Sequence, residues 1–292
     1  MQAQRILLIL LSLLSETFSL QHRYVFYRSM VTIEDETPTR RVFGGDRMTL
    51  SNYPAVCALL DRFWNLKCSG SIISKNWVLT AAHCVSNKVA LIKYNTIHLK
   101  SKEGSIATVL YLYRHPNFQV LEEDEGRGVD VTVLRNDVGL VRTKQTMTLN
   151  TELPMDPIAA MLLYAPYDMK NQEIEVLGFG RTDKSDSSLG EELYGVKLKL
   201  VGCDRSTWTF CMCGTSVGLS GGRGVCSGDS GGPMTYNGSQ IGVTSMGPIE
   251  CATRTTPGPT AISVFTSLHE YASLISHTID DTENALKMTR VP

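Results

Sequence analysis

From residue 42 onward the apolar positions fall into short runs or alternate with polar ones. They predict strands at 55–60, 71–80, 89–94, 107–113, 131–134, 138–142 and 173–177, then at 194–200, 240–245 and 261–264. Turn-forming residues separate most of these runs, as in the stretch that opens Gly178-Phe179-Gly180 and in Gly221-Gly222-Arg223-Gly224. Only 267–279 has helical spacing, with Leu268, Tyr271, Leu274 and Ile275 on one face. Many short strands and one terminal helix predict an all-β architecture, a barrel or a sandwich. The run Glu122-Glu123-Asp124-Glu125, followed by Gly126-Arg127-Gly128, breaks the pattern. It is expected to be a solvated loop, with a role in choosing charged substrates as the sharper alternative.

The N-terminus sets the compartment. Residues 1–5 are polar with one basic residue, 6–14 are almost wholly apolar, and Thr17 and Ser19 are small. That order reads as a signal peptide over 1–19. The apolar stretch is short of the roughly 20 residues a membrane span needs; a signal anchor or a buried N-terminal helix is the alternative. Residues 20–41 are polar, lack a hydrophobic period and end in Arg40-Arg41 before Val42-Phe43-Gly44-Gly45, so they read as a pro-segment.

Composition adds boundaries and no chemistry. With 292 residues, 42% hydrophobic and 20% charged, the chain is long and apolar enough to fold, which excludes a disordered protein. A net charge of −1 gives no reason to expect nucleic acid or an anionic membrane as partner. In a secreted chain the eight cysteines are expected to pair. Cys211-Met212-Cys213 has no nearby ligands that favour a metal, and nothing calls for a cofactor. Asn237-Gly238-Ser239 is a glycosylation sequon on an expected surface turn.

Three segments carry chemistry: Leu79-Thr80-Ala81-Ala82-His83-Cys84, Asn136-Asp137-Val138-Gly139-Leu140, and Gly228-Asp229-Ser230-Gly231-Gly232-Pro233. A serine hydroxyl is a poor nucleophile at neutral pH and needs a base that a third group orients. In this order, behind Arg41-Val42-Phe43-Gly44-Gly45, the segments resemble the trypsin- and chymotrypsin-like serine proteases. Gly228 to Gly232 also fits the Gly-x-Ser-x-Gly elbow of α/β-hydrolases. The short strands, Pro233 after the serine, and His269 and His277 on the terminal helix argue against that fold.

The resemblance implies two packed antiparallel six-stranded β-barrels and a C-terminal helix. The peptidase domain would span 42–292, with barrels at about 42–155 and 165–265 and the helix at 267–279. It implies His83 as general base, Asp137 as its orienter, Ser230 as nucleophile, and the N–H groups of Gly228 and Ser230 as oxyanion donors. Asp130, which opens a similar aspartate-plus-strand segment, is the alternative to Asp137. Cleavage at Arg41 by an arginine-specific protease would free Val42 to pair with Asp229. Implied disulfides are Cys68–Cys84, Cys226–Cys251, and Cys203 with either Cys211 or Cys213. Cys57 and the leftover cysteine are unassigned, free or paired with each other.

In such proteases the residue six places before the nucleophile, here Gly224, lies at the pocket base. Gly224 and Val225 put no carboxylate there, and glycine at Gly247 and Gly258 should leave the walls open. Ser245, Met246 and Gly247 form one wall, with Met246 where tryptophan is usual. The implied enzyme is a secreted, monomeric zymogen that cuts proteins or peptides after apolar residues, a target for protein inhibitors. A non-catalytic homologue acting as a binding or regulatory protein is the alternative.

Overall fold

The computed structural model describes residues 45–124, 129–153, 156–180, 192–217, 222–253, 255, 257–281 and 289–291. The expected signal peptide (1–19), the expected pro-segment (20–41) and the Arg41-Val42 bond lie outside these.

In chain order the first part contains β1 (Asp46–Arg47), β2 (Val56–Leu60), β3 (Leu66–Ser74), β4 (Trp77–Thr80), β5 (Leu91–Tyr94), β6 (Ser105–Arg114), β7 (Gln119–Asp124), β8 (Val129–Arg135) and β9 (Gly139–Thr143). After the short helix α1 (Pro157–Met161) come β10 (Glu173–Gly178), β11 (Tyr194–Val201), β12 (Trp208–Thr209), β13 (Cys211–Ser216), β14 (Pro233–Tyr236) and β15 (Ser239–Met246). The chain ends with α2 (Ile249–Thr253), β16 (Ser263–Ser267), α3 (Ala272–Asp280) and β17 (Thr289–Val291).

Two antiparallel rings close. The first runs β6-β5-β2-β3-β4-β9 and returns to β6, with β17 outside it; the second runs β11-β10-β14-β15-β16-β13 and returns to β11, with β1 outside it. These are two six-stranded β-barrels with a short C-terminal helix, and ring closure removes exposed sheet edges.

Side-chain alternation explains the uninterrupted apolar run of β2. Cys57 and Leu59 point into the first barrel. Val56, Ala58 and Leu60 face outward, where they meet Leu177, Phe179 and Leu193 of the second barrel. One strand thus fills a barrel and glues it to its neighbour. In β11 the pattern is simpler: Val196, Leu198 and Leu200 fill the second barrel, while Lys197 and Lys199 are exposed. The terminal helix and the turn that leads into it bury Leu268, Tyr271, Ala272 and Ile275 on the first barrel's core.

Three expectations change. The run at 71–80 is two strands, since Lys75 and Asn76 form a turn between β3 and β4. Helical structure begins only after Ser267, which is the last residue of β16 and pairs with Gly242. Glu122 to Asp124 of the acidic run are not in a loop: Gln119–Asp124 is a strand paired with β8, which β12 joins in parallel, while 125–128 lie outside the described residues. Its glutamates remain solvated, and the pairing rests on main-chain hydrogen bonds and the half-buried Val120.

Candidate active site

Strand register brings His83 to Asp137. Thr80, the last residue of β4, pairs with Gly139, the first residue of β9. The chain continues past Thr80 through the buried Ala81 and Ala82 to a single tight turn carrying His83. Entering β9 from the other direction, it passes Asn136 and Asp137. Asn136 adopts φ 54°, and its side chain donates to the Asn117 carbonyl at 2.9 Å and accepts from the Tyr271 hydroxyl at 2.9 Å. Asp137 is fully buried. One of its carboxylate oxygens accepts the His83 backbone N–H at 2.9 Å, and the other lies 2.8 Å from His83 Nδ1. That contact assigns the ring proton to Nδ1 and leaves Nε2 as the acceptor.

Asp130 stands elsewhere. It makes an ion pair with Arg205 on the wall of a cavity of about 440 Å³, which Trp208, Thr260 and the expected pocket-wall residues Met246 and Gly247 also line. No single segment announces this cavity, because it depends on β8 meeting β12 and the residues after β15.

The Ser230 segment is held from three sides. Cys226, bonded to Cys251, anchors its start. The Ser230 carbonyl accepts from Ser69 N–H at 2.9 Å, and Ser69 Oγ donates to the Gly228 carbonyl at 2.6 Å. Gly231 donates to the Thr244 carbonyl at 2.8 Å. Gly228 (φ 89°) and Gly231 (φ 79°) occupy left-handed conformations that side chains disfavour. A Cβ on Gly231 would lie 2.0 Å from Thr80 Oγ1, so the Ser230 segment is pressed against the strand end that leads to His83.

Asp229 is fully buried beneath this segment. Its oxygens accept the N–H groups of Gly180 and Cys226, each at 2.9 Å. Burial pushes its carboxyl up to about 8, against the opposing effect of those two hydrogen bonds.

The residues expected to form the pocket have different surroundings. Gly258 has nothing within 4 Å of its Cβ position. At Gly247 a Cβ would fall 2.0 Å from the Val225 carbonyl oxygen. Segment 245–247 therefore lies directly against Val225. Gly224 is buried against Pro248 and Ser263, and the Ser245 hydroxyl lies 2.8 Å from Thr266 Oγ1.

Disulfides join Cys68–Cys84, Cys203–Cys213 and Cys226–Cys251. Cys57 and Cys211 remain thiols in different clusters, so they are not partners. Burial, and after it the Asp137 charge, pushes the Cys211 thiol up to about 12. His83 and the Cys68 and Cys84 sulfurs lie close together, but the two sulfurs are bonded to each other and offer no thiolate to a metal. Asn237 is exposed at the β14–β15 turn, with φ 49° before Gly238 at 76°. Among the described residues no helix is long and apolar enough to cross a membrane.

Comparison with known proteins yields a family model, Trypsin, matching residues 42–275. Pig trypsin is 30% identical over 219 residues, covering 73% of this chain and 85% of the relative. A mouse kallikrein 1-related peptidase, b24, is 29% identical over 258 residues, covering 82% and 90%. Among solved structures, mouse neuropsin, described as a serine protease, superposes with a TM-score of 0.64. It shares 22% identity, with 82% of this chain and all of that one covered, which speaks to the fold.

Proposed function

The chain belongs to the trypsin family, and from that premise we propose that it is a secreted serine endopeptidase made as a zymogen. The observation that carries this reading is the fully buried Asp137 carboxylate, which grips His83 through both its backbone N–H and Nδ1. In this reading His83 Nε2 takes the Ser230 proton as Oγ attacks the substrate carbonyl, and later returns it to the leaving amine. The N–H groups of Gly228 and Ser230 receive the developing oxyanion; losing one such donor typically costs about 10²–10³ in rate. Water then hydrolyses the acyl-enzyme through the same base.

Latency rests on Asp229. A carboxyl this deeply buried favours its neutral form until a cation arrives. Cleavage after Arg41 by an arginine-cutting protease supplies one, the ammonium of Val42. The contact between Gly247 and Val225 in the uncut chain fits a pocket that opens only with that rearrangement. Cleavage after apolar residues follows from Gly224, since a buried substrate cation would meet no carboxylate there. Protein inhibitors are expected partners, and Asn237, exposed on its turn, is the expected glycan site.

The test uses secreted protein cut after Arg41, with the Val42 N-terminus verified. It is incubated with unfolded proteins and the new ends are sequenced, with Ser230→Ala as control. New ends after apolar residues, absent from the control, are expected. Ends after lysine or arginine would remove the pocket assignment and keep the enzyme. No cleavage by folded, processed protein would favour a non-catalytic binding homologue.

A further inference from the structure

A cavity of about 220 Å³ lies at the seam between the two barrels, and none of His83, Asp137 and Ser230 lines it. Val56 and Ser71 come to it from the first barrel, Leu177 and Pro233 from the second, and Ala160 from α1. Ala55 and Ala160 bring only methyl groups to this seam, too little to close it to the density of a packed interior. Among the described residues the lining carries no charged side chain.

Strand register decides which hydroxyl faces this space. Ser71 of β3 stands directly opposite Val56 of β2, and residues so paired share a face of the sheet. Val56 packs on Leu177 and Phe179 of the second barrel, so Ser71 faces the seam and not the barrel interior. Ser71 is 1% exposed, and among the described residues its Oγ has no hydrogen-bond partner. Other polar groups around the cavity are engaged. The Tyr53 hydroxyl donates to the Glu175 carboxylate, Thr235 Oγ1 to the Glu175 carbonyl at 3.1 Å, and Gln240 Nε2 to the Gly242 carbonyl at 3.2 Å.

Folded proteins pair nearly all their buried polar atoms, so an orphan hydroxyl on a cavity wall marks a place for a partner. Water suits this place poorly. A buried water needs about two to four polar contacts, and the side chains of Val56, Leu177 and Pro233 supply none. An apolar body with a single oxygen matches both the walls and the hydroxyl. An ion would lose its hydration with no opposite charge to meet, so the ligand is neutral. An apolar cavity of about 150 Å³ accepts benzene, and by that proportion this one holds about nine heavy atoms.

We propose that this cavity is a binding site for a small neutral ligand, an aromatic or branched aliphatic body of about nine heavy atoms whose one hydroxyl or carbonyl oxygen bonds Ser71. Its occupant would adjoin the Ser230 segment without touching Ser230. Ser69, on the same strand as Ser71, holds the Ser230 carbonyl, and Pro233 opens β14 just after that segment. The site does not depend on the endopeptidase reading, and its test needs no catalysis.

The test uses the secreted, uncut chain, with any glycan at Asn237 removed because that residue also lines the cavity. The probes are benzyl alcohol and ethylbenzene, equal in heavy atoms and differing in hydroxyl against methyl. Calorimetry is expected to give Kd values of about 0.1–1 mM. Benzyl alcohol at ten times its Kd should raise Tm by about 3–6 °C. Ser71→Ala should shift the ratio of the two affinities about 3–10-fold towards ethylbenzene, the worth of one neutral hydrogen bond. Without ligand this variant should melt about 2–4 °C above wild type, because a buried orphan hydroxyl is gone. Ala55→Phe fills the cavity and should weaken both probes more than about 10-fold. No binding of benzyl alcohol to folded wild-type protein at about 5 mM would overturn the proposal. An affinity ratio unchanged in Ser71→Ala would do the same, as would undiminished binding in folded Ala55→Phe. If Ala55→Phe does not fold, the wild-type affinities and the Ser71→Ala ratio decide.

Discussion

Asparagine at position 137 probes the arrangement behind His83. The carboxylate now receives two N–H groups of His83, one per oxygen, at 2.9 and 2.8 Å. An amide has one acceptor oxygen. With that oxygen kept on the backbone N–H, its NH₂ faces Nδ1, which must then accept. The imidazole proton moves to Nε2, and the lone pair that Ser230 needs is gone. For the Ser-His-Asp arrangement this tautomer error lowers turnover about 10⁴-fold, about 5.5 kcal/mol of transition-state stabilisation. The side chains are isosteric, so Tm should move little. Asp130→Asn is the matched control. Its ion pair with Arg205 is about a third exposed on both sides, and such pairs contribute about 0–1 kcal/mol. Turnover should change less than about threefold. The assay is kcat of Arg41-cleaved protein on an apolar ester, with active sites titrated. A large loss in Asp130→Asn beside normal turnover in Asp137→Asn would refute the reasoning, as would normal turnover in both.

Two further outcomes follow from groups beneath the site. In the uncut chain Asp229 titrates near 8 when folded, against about 3.9 unfolded. The folded state therefore holds an extra proton between those values; this contribution is fully present below about pH 4 and is lost as pH rises to about 8. Denaturant midpoints across that window should fall more steeply for wild type than for Asp229→Asn, and parallel profiles would count against the assignment. Gly178→Ala would place a methyl 2.2 Å from Asp229 Oδ1 and 2.9 Å from its Cα. It should cost at least the roughly 1–3 kcal/mol of core overpacking. Gly258→Ala meets open space and should stay within about 0.5 kcal/mol. Thermal melting of the two variants compares them directly, and equal Tm values would contradict the packing around Asp229.

Local patterns made much of the molecule legible. The period-two apolar runs located most barrel strands, because a strand with one buried face writes its alternation into the chain. The motifs around His83, Asp137 and Ser230 are also contiguous, each a short segment of the chain, although the small residues in them are required by partners distant in sequence, such as Thr80 against Gly231. Other features depend on partners distant in sequence. β13 (Cys-Met-Cys-Gly-Thr-Ser) and the proline-led β14 lack a strand-like pattern and are strands because the second barrel closes through them. The acidic β7 is a strand because β8 supplies its main-chain partners. Cys203 met Cys213, where Cys211 was an equal candidate, and the pairing of Thr80 with Gly139 set Asp137, not Asp130, against His83. The approach of Gly247 to Val225 likewise joins residues more than twenty apart in sequence. The sequence by itself determined which residue types and turns were available for chemistry. Only the tertiary structure decided which of them face one another, because register, ring closure and burial are properties of packed pairs that no single segment contains.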